Sequence, residues 1–315
     1  MTAARMSVVV VTDHYRTIRR VVQCLRDQTV RDQLELVIVA PVGVELGLDP
    51  AALEGFAAVK VVEMPRIRPM SSARAAGVRA STAPIVFIGE THSFPHAGFA
   101  EALIAAHSQP WDAVVPGLDN ANPESAFSWA SFLMDYGMWL ERLPAGEIPG
   151  GPTWNVAYKK SVLLDIGDQL DSALSHGDEL AVALQARNHR AYFEPAARLD
   201  HANISQPIWW FQQRYLCGML VASGRKARWP RSKCLMYICA SPLIPFVVLS
   251  RLIRPLKSLA RSGTLPLATV PLLVAGAIAR TVGEVVGYAR GPGGRSQDRM
   301  DEYELHKLKF TSLPL

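Results

Sequence analysis

Hydrophobic positions along the first 120 residues change period repeatedly. Ser7–Thr12 is a β-rich run, β-branched from Val8 on and short enough for a strand buried on both faces. Thr17–Leu25 then places Ile18, Val21, Val22 and Leu25 at helical spacing. Strand-like runs return at Leu34–Ala40, Ala58–Glu63, Ile85–Ile88 and Ala113–Pro116. Between them the pattern predicts a helix through Ala80, N-capped by Ser71 or Ser72, and another over Gly98–Ala106. Strands that alternate with helices in this way build a mostly parallel sheet covered on both faces.

From Asn120 to Pro152 the rhythm loosens. Trp129, Phe132, Met134, Tyr136, Met138 and Trp139 mark either a helix packed on the core or a wall facing a ligand. A short strand is predicted near Asn155–Tyr158, a helix over Asp178–Ala186 and a strand over Ala191–Glu194. Beyond Trp209 the pattern changes again. Cys234–Ser250 and Ser262–Ala279 are uncharged, each near the lower limit of the ~17–25 residues that cross a bilayer. Pro242, Pro245, Pro266 and Pro271 interrupt them, and Arg251, Arg254, Lys257 and Arg261 lie between. Two complete crossings would put this basic link on the side opposite the N-terminal domain, against the positive-inside tendency. Helices inserted partway into one leaflet fit better. The expected organisation is an α/β domain over 1–205, a basic and apolar helical region over 206–290, and a flexible tail over 291–315.

Charge sharpens the picture of the C-terminal third. The net charge is only +5, yet no Asp or Glu occurs from His201 to Gly283. A basic, acid-free stretch implies an anionic partner. Its aromatic and aliphatic runs suit lipid better than bases, so no nucleic-acid partner is expected. Cys24, Cys217, Cys234 and Cys239 show neither metal spacing nor a disulfide framework, and reduced thiols are expected. The N-terminal apolar run is too short for an export signal, so the N-terminal domain is expected to stay in the cytoplasm.

Candidate chemistry concentrates in Ile85–Phe99. Glu90 and His92 lie two residues apart just past a strand, where both can point at one divalent ion. The C-terminal edge of parallel strands is where open α/β sheets bind ligands. His14 lies at the corresponding end of the first strand, whereas His96 and His107 read as surface residues. Asp178 and Glu179 open a predicted helix. They are either first-turn acids favoured by the helix dipole or a general base.

Six elements, in order, resemble family 2 glycosyltransferases: Ser71–Gly77, Glu90-Thr91-His92, Pro95–Phe99, Gly150–Asn155, His176–Leu180 and His201. The resemblance covers roughly Ser7–His201. It implies a GT-A fold, that is, a Rossmann-like mixed sheet flanked by helices, here with a C-terminal membrane-associated helical region of bacterial type. It further implies an inverting, metal-dependent transfer of a sugar from a nucleotide-diphosphate donor. In that frame Thr12, His14, Ala40, Arg74, Glu90 and Thr91 contact the donor, and Glu90, His92 and His201 hold the metal. Gly151, Trp154 and Asn155 lie on the acceptor side. Asp178 or Glu179 is the base, with the motif register favouring Asp178.

Two departures stand out. Ala40-Pro41 replaces the acid that usually holds the nucleotide base, and Glu-x-His replaces Asp-x-Asp, which favours Mn²⁺ over Mg²⁺. The acceptor implied is lipid-linked or membrane-proximal, at the cytoplasmic face of the inner membrane, with anionic lipid as a partner. The oligomeric state is left open. Two alternatives stay open as well: a non-catalytic nucleotide- or partner-binding module of the same fold, and a nucleotidyltransferase.

Overall fold

A computed structural model describes residues 3–140 and 142–313. The chain divides into two compact units. The first comprises Met1–Asp119, Glu141–Ser175 and Glu179–Asp200, and the second Asn120–Leu140, His176–Asp178 and His201–Leu315.

The first unit is built on a sheet of nine strands: β1 Met6–Val11, β2 Leu34–Pro41, β3 Ala58–Met64, β4 Ile85–Ile88, β5 Ser93–Pro95, β6 Ala113–Asn120, β7 Gly146–Ile148, β8 Val156–Lys159 and β9 Ala191–His201. Their order is β3-β2-β1-β4-β8-β6-β9-β5, with β7 on β9. The strands β3, β2, β1 and β4 are parallel, while β8 runs antiparallel to both β4 and β6. The last residues of β6 and β9, Asn120 and His201, are grouped with the second unit. The α/β fold implied by the resemblance, a Rossmann-like mixed sheet flanked by helices, is the fold observed.

Sequence explains the central strands directly. Every residue of β1 is buried, as a strand covered on both faces requires. The edge strand β3 alternates, leaving Val59 and Val61 partly exposed. Helix α1, Tyr15–Arg26, buries Ile18, Val21, Val22 and Leu25 on one face. Helix α2 is Pro50–Leu53, and α3 is Met70–Ala80. The cap expected of Ser71 or Ser72 is not made: Pro69 is the N-cap residue, in extended conformation, and α3 starts two or three residues earlier than that cap would place it. Gly77 lets α3 lie flat on the sheet, since a Cβ there would sit 2.4 Å from Val9 Cγ1. Helix α4, Phe99–Ala106, anchors through Phe99, whose ring meets Phe87 edge-on.

The second unit holds α5, Ala126–Tyr136. Trp129 and Phe132 are buried there, so the aromatic stretch is a core helix, as the first of its two expected readings has it. Short helices α6 Lys160–Leu164, α7 Leu170–Ala173 and α8 Glu179–Gln185 belong to the first unit. The second unit then runs through α9 Pro207–Arg228, α10 Arg231–Cys239, α11 Ile244–Arg251, α12 Ile253–Ser262, α13 Thr269–Arg290 and α14 Ser296–Leu305. Residues 120–140 join this unit, rather than the domain expected to end near 205, because α5 packs on α9. Asp135 pairs with buried Arg214 at 2.6 Å, and Phe127 meets Trp210 with ring centroids 5.4 Å apart.

Helices α9 and α13 run side by side in the same direction. Three glycines allow their backbones to touch: a Cβ at Gly218 would lie 1.9 Å from Arg280 O, at Gly283 2.0 Å from Tyr215 O, and at Gly287 2.4 Å from Met219 O. Neither uncharged run is one continuous helix. Cys234–Ser250 breaks into α10 and α11, bent by 54°. Ser262–Ala279 ends α12 and begins α13, the one helix among the described residues long and apolar enough to cross a membrane. The tail is not a loose end: α14 packs down with Met300, Asp301, Tyr303 and Leu305 buried.

Candidate functional site

Strands β1, β2 and β4 end at one edge of the first unit. Thr12, just past β1, is buried and its hydroxyl donates to His14 O at 2.8 Å. His14 caps α1, its Nδ1 accepting from Arg16 N at 3.0 Å, so its ring already has a structural task. Ala40 is buried near the end of β2. Strand β4 leads into Glu90-Thr91-His92, all buried.

Glu90 is the hub of this edge. Its Oε2 accepts from Ser93 Oγ at 3.2 Å and from Asn155 Nδ2 in a short bond. His92 Nε2 stands 3.4 Å from the same oxygen, while His92 Nδ1 meets Thr91 Oγ1 at 3.2 Å. Asn155 reaches Glu90 because its backbone takes the left-handed conformation, φ 57°, and its N–H donates to Ile88 O at 2.8 Å. Asn tolerates that conformation better than most residues. An acceptor-side role was expected for Asn155; the structure joins it to the carboxylate. Neighbouring Trp154 lies under the Arg74 guanidinium, 4.1 Å from ring centroid to Cζ. Gly151 is tightly confined, since a Cβ there would meet Val115 Cγ2 at 2.4 Å.

Glu90 and His92 in the first unit, and His201 at the end of β9 in the second, are all buried and each carry a metal-ligating atom. Two donors about 2.0–2.2 Å from a common ion stand up to roughly 4.4 Å apart, and the 3.4 Å between His92 Nε2 and Glu90 Oε2 falls inside that span. A carboxylate beside an imidazole is a borderline donor pair, suited to Mn²⁺ or Zn²⁺ more than to Mg²⁺. The residues present therefore fit a divalent ion.

In the second unit His201 belongs to a buried polar cluster that no sequence pattern announced. His201 Nδ1 lies 2.8 Å from Asn203 Oδ1, and Asn203 is tied to Asn120 and Asn122. Ser128 Oγ approaches both Asn120 Oδ1 and Asn122 Oδ1 at 2.9 Å. Tyr136 packs on the His201 ring with centroids 4.5 Å apart. Only the i, i+2 spacing of His201 and Asn203 was visible as a local signal. Their partners are some eighty residues away.

Asp178 also lies in the second unit. Its carboxylate bonds Arg225 Nε at 2.8 Å and Arg228 Nη2 in a shorter contact. Burial alone would raise this carboxyl, but the hydrogen bonds and charges of the two arginines outweigh it and hold the acid below its ordinary range. His176 bonds buried Asp301 at 3.1 Å, so helix α14 also ties down the His176–Asp178 segment. Glu179, in the first unit, accepts from Ser175 Oγ at 3.0 Å. His107 is a correction: it is not a free surface residue but bonds Ala157 O at 3.2 Å, and burial pushes its imidazole down to about 4. His96 pairs with Asp200 at 2.9 Å.

No family model matches this chain, and no curated protein is similar to it. Solved structures are. GalNAc-T7 with UDP, GalNAc and Mn²⁺ is 17% identical at a TM-score of 0.49, over 64% of this chain and 43% of that one. This chain thus spans less than half the length of that protein. The mannosyltransferase PcManGT from Pyrobaculum calidifontis, in complex with GDP-Man and Mn²⁺, is 17% identical at 0.48, over 98% and 88% of the two chains. S. aureus TarS 1–349 in complex with UDP is 15% identical at 0.46, over 95% and 91%.

Proposed function

We propose that this protein is a metal-dependent, inverting glycosyltransferase that moves a sugar from a nucleotide-diphosphate donor to an acceptor at the cytoplasmic face of a membrane. The observation that carries the reading is the buried Glu90 and His92 pair at the C-terminal edge of parallel strands. Those two residues, with His201 as the third ligand of the proposal, would hold the ion, Mn²⁺ in preference to Mg²⁺. A bound divalent ion supplies counter-charge to a diphosphate leaving group.

The chain's own residues do the rest. Asn155 and Ser93 orient Glu90 by donating to one of its oxygens, which leaves the carboxylate turned toward His92. Arg74, stacked on Trp154, offers fixed positive charge near the donor edge. Thr12, His14, Ala40 and Thr91 would flank the nucleotide, and Gly151 and Trp154 the acceptor. Glu179 or Asp178 takes the acceptor hydroxyl proton as that oxygen attacks the anomeric carbon. Of the two, Asp178 is the weaker base while Arg225 and Arg228 hold it. The same clamp favours a second reading, a non-catalytic nucleotide-binding module of the same fold.

A thermal-shift panel of UDP, GDP and CDP with Mn²⁺ or Mg²⁺ tests the site. A ligand that binds only the folded protein raises its melting temperature, by an amount set by its concentration over its Kd. One diphosphate with Mn²⁺ should stabilise the chain, and chelator should reverse the shift. Glu90→Ala and His92→Ala should each abolish the metal-dependent part. Equal shifts with and without chelator in all three proteins would remove the metal from the mechanism. Release of nucleotide diphosphate from a matching sugar donor separates the enzyme from the binding module.

A further inference from the structure

The orientation of three buried asparagines is fixed by backbone groups, and that fixes the proton on His201. A backbone carbonyl only accepts and a backbone N–H only donates. Asn203 Nδ2 lies 2.8 Å from His201 O, so that end of the amide must be the nitrogen. The same Nδ2 donates to Asn120 Oδ1 at 2.9 Å. Asn120 Oδ1 in turn accepts the Asn122 backbone N–H at 3.1 Å, which identifies it as oxygen. Asn122 is pinned at both ends: its Nδ2 donates to Asn203 O at 2.8 Å and its Oδ1 accepts from Asn203 N at 2.9 Å. Turning any one amide over would set donor against donor or acceptor against acceptor.

With its nitrogen committed, Asn203 turns its Oδ1 toward His201 Nδ1 at 2.8 Å. An amide oxygen has no hydrogen to give, so the ring must supply one. Neutral His201 is therefore the Nδ1–H tautomer, and its lone pair is on Nε2. A ring turned by 180° would set a C–H against Asn203 Oδ1, and Tyr136 packs against the ring face. All five groups, Asn120, Asn122, Ser128, His201 and Asn203, are buried, so water does not scramble the pattern.

We infer that Asn203 is a positioning residue that locks His201 as the Nδ1–H tautomer and so presents Nε2 as the ligand atom for a divalent cation. The inference rests on the metal-dependent reading of the site. A histidine whose second nitrogen donates to a fixed acceptor is a more basic and better aimed ligand, and losing such a partner costs about 10–100-fold in metal affinity.

The tautomer can be read without metal or turnover. The full-length chain, labelled with ¹⁵N at histidine and metal-free at about pH 8, should show His201 with a protonated Nδ1 and a bare Nε2. An Nε2–H form, or an equal mixture, would overturn the inference before any variant is made. Mn²⁺ alone, titrated by the EPR signal of the free ion, supplies the second readout. Asn203→Leu should weaken Mn²⁺ binding by about 10–100-fold and release the tautomer. Asn203→Asp keeps an acceptor facing the ring and should retain the Nδ1–H form. If Asn203→Leu keeps both the tautomer and the affinity, Asn203 positions nothing. Wild-type Mn²⁺ binding in His201→Ala would instead sink the metal reading at this residue, while the ¹⁵N spectrum would still report whether Asn203 sets the proton.

Discussion

At the residue scale, adjacent acids do different work. Asp178 and Glu179 follow one another, yet the first is bridged to Arg225 and Arg228 and the second accepts from the Ser175 hydroxyl. The arginines hold the Asp178 carboxyl below its ordinary value, which lowers its strength as a base near neutral pH. Glu179→Gln should therefore depress turnover by roughly 100-fold or more while donor affinity stays near wild type. Asp178→Asn should show its main effect in stability. A carboxyl whose folded pKa lies below its unfolded one stabilises the fold above the unfolded value, about 3.9, and loses that contribution as pH falls through the folded value. Denaturation of the wild type should thus become easier below about pH 4, and Asp178→Asn should flatten that part of the profile. Steady-state kinetics beside urea melts at pH 7 and pH 3 make the comparison. Near-normal turnover in Glu179→Gln with collapse in Asp178→Asn would reverse the assignment and require the arginine clamp to open during the reaction.

At the scale of elements, the strands and the site edge could be read ahead, and the partners of distant elements could not. Runs such as Ser7–Thr12 and Ile85–Ile88 announce themselves because a strand buried on both faces leaves little choice but aliphatic residues. Glu90 and His92 were visible because their spacing is local. The Asn120, Asn122 and Asn203 cluster was not, since it depends on residues 81 or more positions apart meeting in space. The N-cap of α3 was misplaced for a simple reason: Pro69 supplies the extended entry by its fixed φ, with no side-chain bond to betray it. The glycines of α9 and α13 are the contact points of the two helices, which no periodicity announced. Their role sets a sharp expectation. Gly283→Ala would push a methyl to 2.0 Å from Tyr215 O, a backbone atom that cannot step aside without its helix. Overpacking of this kind costs about 1–3 kcal/mol or more. Gly263→Ala, at a position with open space but φ 67°, should cost only about 1 kcal/mol. Chemical denaturation of the two variants ranks them, and equal stability would mean that α9 and α13 do not approach as closely as described.

For the whole molecule, the open question is what covers the outer face of the second unit. Helix α13 turns its glycine side to α9 and leaves Val270, Val274, Ile278 and Val282 exposed at four-residue intervals along the other side. Leu243 and Phe246, at 62% and 70% exposure, and Leu267, at 91%, add to the apolar surface. Exposed Arg251, Arg254, Lys257 and Arg261 belong to the same unit, and no acid occurs from His201 to Gly283. Apolar surface with a basic complement is what an anionic bilayer selects, each cation near it contributing about 1 kcal/mol. We propose that this face attaches the protein peripherally to the membrane, with α10 to α12 inserted at the interface. The two contributions separate under salt, because the Debye length falls to about 3 Å at 1 M and only apolar insertion survives. Full-length protein should float with vesicles containing phosphatidylserine, remain bound in 1 M salt and come off in detergent. Phe246→Asp combined with Leu267→Asp should weaken flotation strongly without altering Mn²⁺-dependent nucleotide binding. Both substitutions sit at exposed positions, so a loss of folding is not expected to intervene. A chain that stays in solution without detergent and ignores anionic vesicles would refute membrane attachment, and would assign the same apolar face to another copy of the protein or to a protein partner.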